Sequence, residues 1–316
     1  MFASVLTERL VGLGHRVTLF ATADSLTAAE LVATSSTSWS EDDGIDPKVA
    51  ECLHIASVFE RAGDFDVIHN GFDFLPLTYS ELVRTPVVTT IHGFSSERIV
   101  AVYERYNATG AYVAISDADR HHRLDYAATI HHGIETDGFA VHDEPGDHLL
   151  FFGRIHPDKG TATAIAAARR AGRPLVIAGI IQDRGYFDAE VAPHLGDDIT
   201  FAGPVPAERR GEVLASAHAL LHLIDFDEPF GYSVVESLAS GTPVIAHDRG
   251  SMREIVDHGT TGFLVAGAEQ TTAAIDAAGA LDRAAIRDRA VRRFGAGTMA
   301  DRYVELYRSV IARAAR

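Results

Sequence analysis

Two glutamates and two cations carry the chemistry that this sequence offers. Glu228 and Glu236 stand eight positions apart in DFDEPFGYSVVESLASGTPVIA, Asp225 to Ala246, on either side of a Pro-Phe-Gly turn. The turn rules out ordinary helix spacing as the reason for the pair. A carboxylate accepts hydrogen bonds only, so each could hold one vicinal diol of a polyhydroxylated ligand. Two carboxylates could also flank a glycosidic bond as acid and as nucleophile or base. A structural reading stands beside these. Ser233 and Glu236 fit the S-x-x-E capping box, and Glu228 follows Asp225 and Asp227 in an acidic loop. The cations are Arg154 and Lys159 in FFGRIHPDKG, where the chain leaves a strand at Gly153 and enters a helix near Thr161. Two cations beside helix-start amides make a diphosphate site. Lys48 and Lys159 are the lysines among 28 basic residues, so a lysine in a glycine-flanked loop stands out.

The elements that must position these side chains fall into two strand-helix series. HRVTLFAT, DVIHN, PVVTTIH and AYVAIS form the first, with PKVAECLHIASVFERAG as a helix among them. LLFFGR, PLVIAG, DITFAG, ALLHLID, TPVIAH and GFLV form the second, separated by TATAIAAARRAG, AERRGEVLASAH, VVESLAS and SMREIVDHG. Such alternation predicts parallel sheets covered by helices on both faces, built twice. The polar stretch Thr136 to His148 reads as a linker, and a last helix from about Met299 to Ala315 carries one apolar stripe through Tyr303, Leu306, Tyr307 and Val310. Ligands of doubly wound sheets bind beyond the carboxyl ends of the strands, so the cleft between the domains is the expected site. In the second domain, PFGYSVVE adds a run of amides from Phe230 to Val234 at a helix start, with Glu236 expected in the first turn.

Composition excludes several classes. A chain of 316 residues with 47% hydrophobic content has room for two domains. The net charge of −16 opposes a nucleic-acid groove. Neither a basic-then-apolar leader nor an apolar run long enough for a transmembrane segment is visible, and the lone Cys52 excludes an internal disulfide and a multi-cysteine zinc site. A cytoplasmic protein is the simplest reading. His121-His122 and His131-His132 lack the spacing of a helical metal pair. No Walker loop and no intact G-x-G-x-x-G is present, which lowers the readings of P-loop hydrolase and nicotinamide dehydrogenase. A hydrolase needs no diphosphate pocket.

The whole set closely resembles the family-four retaining glycosyltransferases of the GT-B fold. The residues that carry the resemblance are the E-x7-E pair in EPFGYSVVE, SGTPVIA, GSMREIV, GTTGFLV, GRIHPDKG and DITFAGPVP, with DVIHNGFDFLPL, VVTTIHGF and AISDADRHH in the first domain. The resemblance implies two Rossmann-like domains facing a central cleft: residues 1–140 on the acceptor side, with 299–316 returning to them, and residues 147–298 binding a nucleotide sugar. It implies that Arg154 and Lys159 neutralise the donor diphosphate, that Glu236 binds the ribose and that Glu228 binds the transferred sugar. Gly153, the amides of Phe230, Gly231, Tyr232, Ser233 and Val234, and the loop at Val205 would hold the donor, while His92 would face the sugar. The donor would be a UDP- or GDP-hexose and the acceptor a small molecule or glycan, with no metal required. In ATIHHGIE, His132 and Glu135 stand where the family usually has Asn-Gly and Asp, so neither is placed in the site. A non-catalytic nucleotide-sugar-binding remnant and a nucleotide-sugar epimerase on the same fold are the alternatives. A phosphorylase would need a pyridoxal lysine, which the lysine count makes improbable.

One expected element is missing. A Rossmann-like domain starts with a strand that becomes central in its sheet. This sequence opens on FASVLTERLVGLGH, whose spacing is that of a helix ending at Gly14. The expectation is that the native chain is longer and begins with that strand and its glycine-rich loop. A donor-binding remnant is the other reading.

Overall fold

A computed structural model describes residues 1–38, 40–94, 96–142, 144 and 146–315. The chain divides into two units: residues 1–133 with 296–316, and residues 134–295.

The first unit opens with α1 (Phe2–Gly12), followed by β1 (Thr18–Phe20), β2 (Glu30–Val32) and α2 (Pro47–Glu60). Then come β3 (Ile68–Asn70), α3 (Leu77–Ser80), β4 (Val87–Ile91), α4 (Val100–Arg105), β5 (Ala111–Ala114) and β6 (Tyr126–Thr129). The opening helix forms as its spacing predicts, but stops at Gly12, and the amide of Gly14 turns back to the Val11 carbonyl. Asp46 caps α2 by accepting from the Val49 amide, and Pro47 sits where its missing N–H costs nothing. The terminal helix runs from Ala296 to Ala314, starting before Met299, and its stripe packs with α1 over one sheet face. Met299, Ala300, Tyr303 and Val310 join Leu6, Val88, Val113 and Ile130 in that core.

The strands of this unit form two separate sheets: β1 with β2 in parallel, and β3-β4-β5-β6, also parallel throughout. Each of β1 and β3 has one strand neighbour, and both line a slot of about 1230 Å³. Leu6, Leu10, Ile55, Phe65 and Tyr307 contribute apolar walls. In the doubly wound order the slot occupies the place of a central strand. Two strand edges facing an apolar slot leave main-chain groups without ladder partners.

The second unit holds its strands in one six-stranded sheet. Its elements are β7 (Leu149–Phe152), α5 (Thr161–Ala171), β8 (Leu175–Ala178), α6 (Arg184–Tyr186), β9 (Ile199–Gly203), α7 (Arg210–Ala215) and β10 (Ala219–His222). They continue with α8 (Tyr232–Ala239), β11 (Val244–His247), α9 (Met252–Ile255), β12 (Gly262–Val265), α10 (Ala268–Ala278) and α11 (Arg283–Phe294). The six strands lie in the order β12-β11-β10-β7-β8-β9, all parallel. Near-continuous apolar strands such as ALLH are buried at every position, as a sheet covered on both faces requires. The stretch read as a linker belongs to this unit: Arg287 donates to the carbonyls of Phe139 and Thr136. Asp143 and Pro145 of that stretch lie outside the described residues.

An apolar strand of about five residues, fused ahead of Met1 through a short glycine linker, is expected to raise Tm. It should also slow amide exchange at Thr18–Phe20 and Ile68–Asn70. Unchanged exchange at both edges would show that the slot does not take a strand.

Candidate nucleotide-sugar site

The order of the six-stranded sheet reverses between β7 and β10. Carboxyl ends of strands at such a reversal splay apart and leave a crevice. Lys159, Glu228 and the start of α8 lie beside this reversal, on the loops that follow β7 and β10. The loop after β7 carries Gly153 and Arg154, then a single 3-10 turn, Pro157–Lys159, capped by the His156 side chain. Gly160 follows with φ +72°, and a Cβ at this position would lie 2.0 Å from the Leu223 carbonyl oxygen. Only glycine lets this loop press against the chain leaving β10. Lys159 is thereby set beside the loop that carries Glu228.

Lys159 Nζ donates to Glu228 Oε2 at 2.7 Å, and the two side chains are 17% and 15% exposed. The family resemblance implies separate partners for them, diphosphate and sugar; the fold brings the two side chains into one ion pair. Lys159 also lies 4.5 Å from the centre of the Phe226 ring. His222, at the end of β10, places Nε2 3.8 Å from Glu228 Oε2. Burial pushes the His222 pKa down to about 4, against the pull of Glu228, so the ring is neutral at pH 7. The backbone holds Glu228 too: its carbonyl accepts from the Ser251 amide at 3.0 Å, and Ser251 Oγ donates to the Phe230 carbonyl. A small cavity of about 40 Å³ is lined by Gly153, Lys159, His222 and Ser233, joining the two loops to the start of α8.

Arg154 is exposed and donates through Nη1 to Gln182 Oε1. Val205 is half-buried in the loop after β9. Gly231, with φ +92°, is the N-cap of α8, and no side chain caps the helix. This corrects the capping-box reading: Ser233 already lies within the helix, and Glu236 sits two positions further in than expected. Glu236 is instead buried against Arg210, whose Nη1 donates to Oε1 at 3.2 Å. The amides of Val234 and Val235 both donate to the Gly231 carbonyl, closing the first turn of α8.

His92, in the first unit, ends β4. Its Nδ1 is 3.3 Å from His132 Nε2, and the Phe2 ring centre is 4.7 Å away. Desolvation lowers the His92 pKa to about 4 and that of His132 well below the usual histidine value. His132, left out of the site on sequence grounds, therefore packs against His92.

Sequence reasoning missed Gln182, His222, Ser251 and Arg210. A histidine inside the apolar run LLHLID was a usable signal, whereas nothing local marks Arg210 in AERRGEV.

The description "Glycosyltransferase Family 4" fits residues 2–137, and "Glycosyl transferases group 1" fits residues 136–292. The chain resembles the family-four glycosyltransferases of the GT-B fold. It is 37% identical over 164 residues to a D-inositol 3-phosphate glycosyltransferase of Nocardia farcinica, 47% of this chain and 36% of that protein. It is 27% identical over 229 residues to a phosphatidyl-myo-inositol mannosyltransferase of Mycobacterium tuberculosis, 64% of this chain and 60% of that protein. The chain thus spans between 36% and 60% of the length of these two relatives. Among solved structures, a glycosyltransferase of avilamycin A biosynthesis is 27% identical with a TM-score of 0.71, covering 99% of this chain and 89% of that one. Anabaena HepE, solved with UDP, shares the fold at 19% identity and TM-score 0.74, covering 96% of this chain and 94% of that one. No described helix is long and apolar enough to cross a membrane.

Lys159→Met is expected to lower unfolding stability by about 2 kcal/mol or more, since it strands Glu228 in a largely dry site. Adding Glu228→Gln should recover most of that loss in urea denaturation. Equal stability of the single and double variants would show that the pair is not coupled.

Proposed function

We propose that the chain is a retaining glycosyltransferase that moves a hexose from a nucleoside-diphosphate sugar to a small-molecule or glycan acceptor. The observation that carries this reading is the Lys159–Glu228 pair at the reversal of the six-stranded sheet, between the loop before α5 and the start of α8. A cation for the diphosphate and an acceptor for sugar hydroxyls are held within hydrogen-bonding distance of each other, as the bond from sugar to phosphate demands. The UDP bound to HepE supports a nucleotide donor. The names of the two curated relatives support a polyhydroxylated acceptor.

In this reading Lys159 and Arg154 balance the charge that grows on the departing diphosphate, and the first-turn amides of α8 share it. The bond between the anomeric carbon and the phosphate oxygen breaks. The acceptor oxygen bonds to that carbon on the same face, and its proton passes to the departing phosphate. Glu228 accepts from hydroxyls of the transferred sugar and Glu236 from those of the ribose. Gly153 and Val205 would bound the nucleotide. His92, neutral at pH 7, keeps the role of a sugar contact on the resemblance alone. The two cations do the work that a divalent ion does in other transferases, so activity should persist in excess EDTA.

A thermal-shift screen with UDP, GDP and ADP is the first test. One of them should raise Tm progressively with its concentration, as binding to the folded state alone requires. The sugar donor built on that base should then release nucleotide faster when a sugar or polyol acceptor is present. No shift with any of the three would overturn the reading. Binding without release would leave a nucleotide-sugar-binding protein.

A further inference from the structure

Arg210 is the first residue of α7 and reaches the neighbouring helix α8, where its Nη1 donates to Glu236 Oε1. The Glu236 side chain is 6% exposed and that of Arg210 36%. Burial pushes the Glu236 pKa up, and the Arg210 guanidinium pulls it back. The contact uses one nitrogen and one oxygen. Arg210 Nε is buried and has no hydrogen-bond partner among the described residues. A lone buried donor beside a carboxylate is a place for an oxygen of an incoming ligand.

The other charged and titratable groups around Glu236 face elsewhere or stay neutral. The Tyr232 hydroxyl, on α8 itself, is kept from ionising by burial and by Glu236. From α11, Arg283 binds the carbonyls of Ala215 and Ala217, and Arg287 that of Ala239. His222 of β10 faces Glu228, and His247 of β11 bonds to the Ile224 carbonyl. Among the described residues, Arg210 is the cation that bonds to Glu236.

Resting on the nucleotide-sugar reading, we propose that Arg210 is a positioning residue of the donor site: it fixes one oxygen of Glu236 so that the carboxylate reads the ribose 2′ and 3′ hydroxyls. The arrangement makes the site selective for ribose. A 2′-deoxyribose leaves an ionised, buried acceptor short of a donor, which weakens binding by about tenfold or more.

The test measures calorimetric Kd values for UDP, GDP and ADP and their 2′-deoxy forms at pH 6 and pH 8.5. Wild-type protein is compared with Arg210→Met and Arg210→Lys. Wild type should prefer the ribose form of its nucleotide by about tenfold at both pH values. Arg210 opposes the upward push of burial on Glu236, so Arg210→Met holds more of this carboxyl protonated at pH 6 than wild type does. Its ribose preference should fall at pH 6 relative to pH 8.5, while Arg210→Lys keeps the preference at both. Glu236→Gln retains Arg210 and should lose the preference at both pH values, which serves if Arg210→Met melts early. An unchanged, pH-independent preference in Arg210→Met, a preference surviving in Glu236→Gln, or none in wild type overturns the proposal. Failure of wild type to bind any of the three diphosphates overturns the nucleotide reading itself, and the role of Arg210 with it.

Discussion

A lysine and a glutamate held mostly out of water impose the strongest constraint on this molecule. Neither charge tolerates burial alone, so whatever brings one to the strand ends must bring the other. Gly160 permits the close approach of their two loops, the Ser251 amide fixes the carbonyl of Glu228, and a neutral His222 fills the space behind the carboxylate. Glu228 balances Lys159. On the proposed reading, a diphosphate would compete for that cation, and sugar hydroxyls would then satisfy the carboxylate it releases. A ligand that offers both groups in sequence meets both needs at once.

The two units answer the same architectural problem unequally. The second has one continuous sheet whose core runs from Leu149 through Leu221 to Ile245. In the first, the buried side chains fall into separate groups: one under the terminal helix, one around Leu77 and Tyr112, and one around Ala62 and Ile68. The slot between β1 and β3 lies among them. Segments held by few shared contacts open at lower free energy than those in a continuous core. Buried histidines add a second weakness. His69, with its pKa down to about 3, bonds to Thr90 and Tyr307 as a neutral ring, so protonation opposes this packing below the ordinary histidine pKa.

Much of this was legible in the sequence. The apolar runs LLFFGR, PLVIAG and TPVIAH became central strands because burial on both faces leaves no alternation to misread. Arg154, Lys159 and Glu228 stand out because charge in a glycine- or proline-marked loop is conspicuous, and Glu236 because it follows Glu228 across that turn. Their pairing was not legible. Lys159 and Glu228 are brought together by a close approach at Gly160 that no periodicity encodes, and Arg210 meets Glu236 only through the packing of α7 on α8. The capping box failed for a local reason: Gly231 takes a left-handed conformation and starts the helix early, moving Ser233 inside it. Short β2 and β6 went unread since ELV and YAAT carry little apolar patterning.

On the proposed reading, Lys159 holds the diphosphate and Glu228 the sugar of one donor. Calorimetric titration of UDP, UDP-glucose, GDP and GDP-mannose into wild-type protein, Lys159→Met and Glu228→Gln tests it most directly. With the base that binds, Lys159→Met should weaken the bare nucleotide and the nucleotide sugar alike, by about tenfold or more. Glu228→Gln should weaken the nucleotide sugar while leaving the bare nucleotide close to wild type. Equal loss of both ligands in Glu228→Gln, or full retention of both in Lys159→Met, would rule out these roles for the pair.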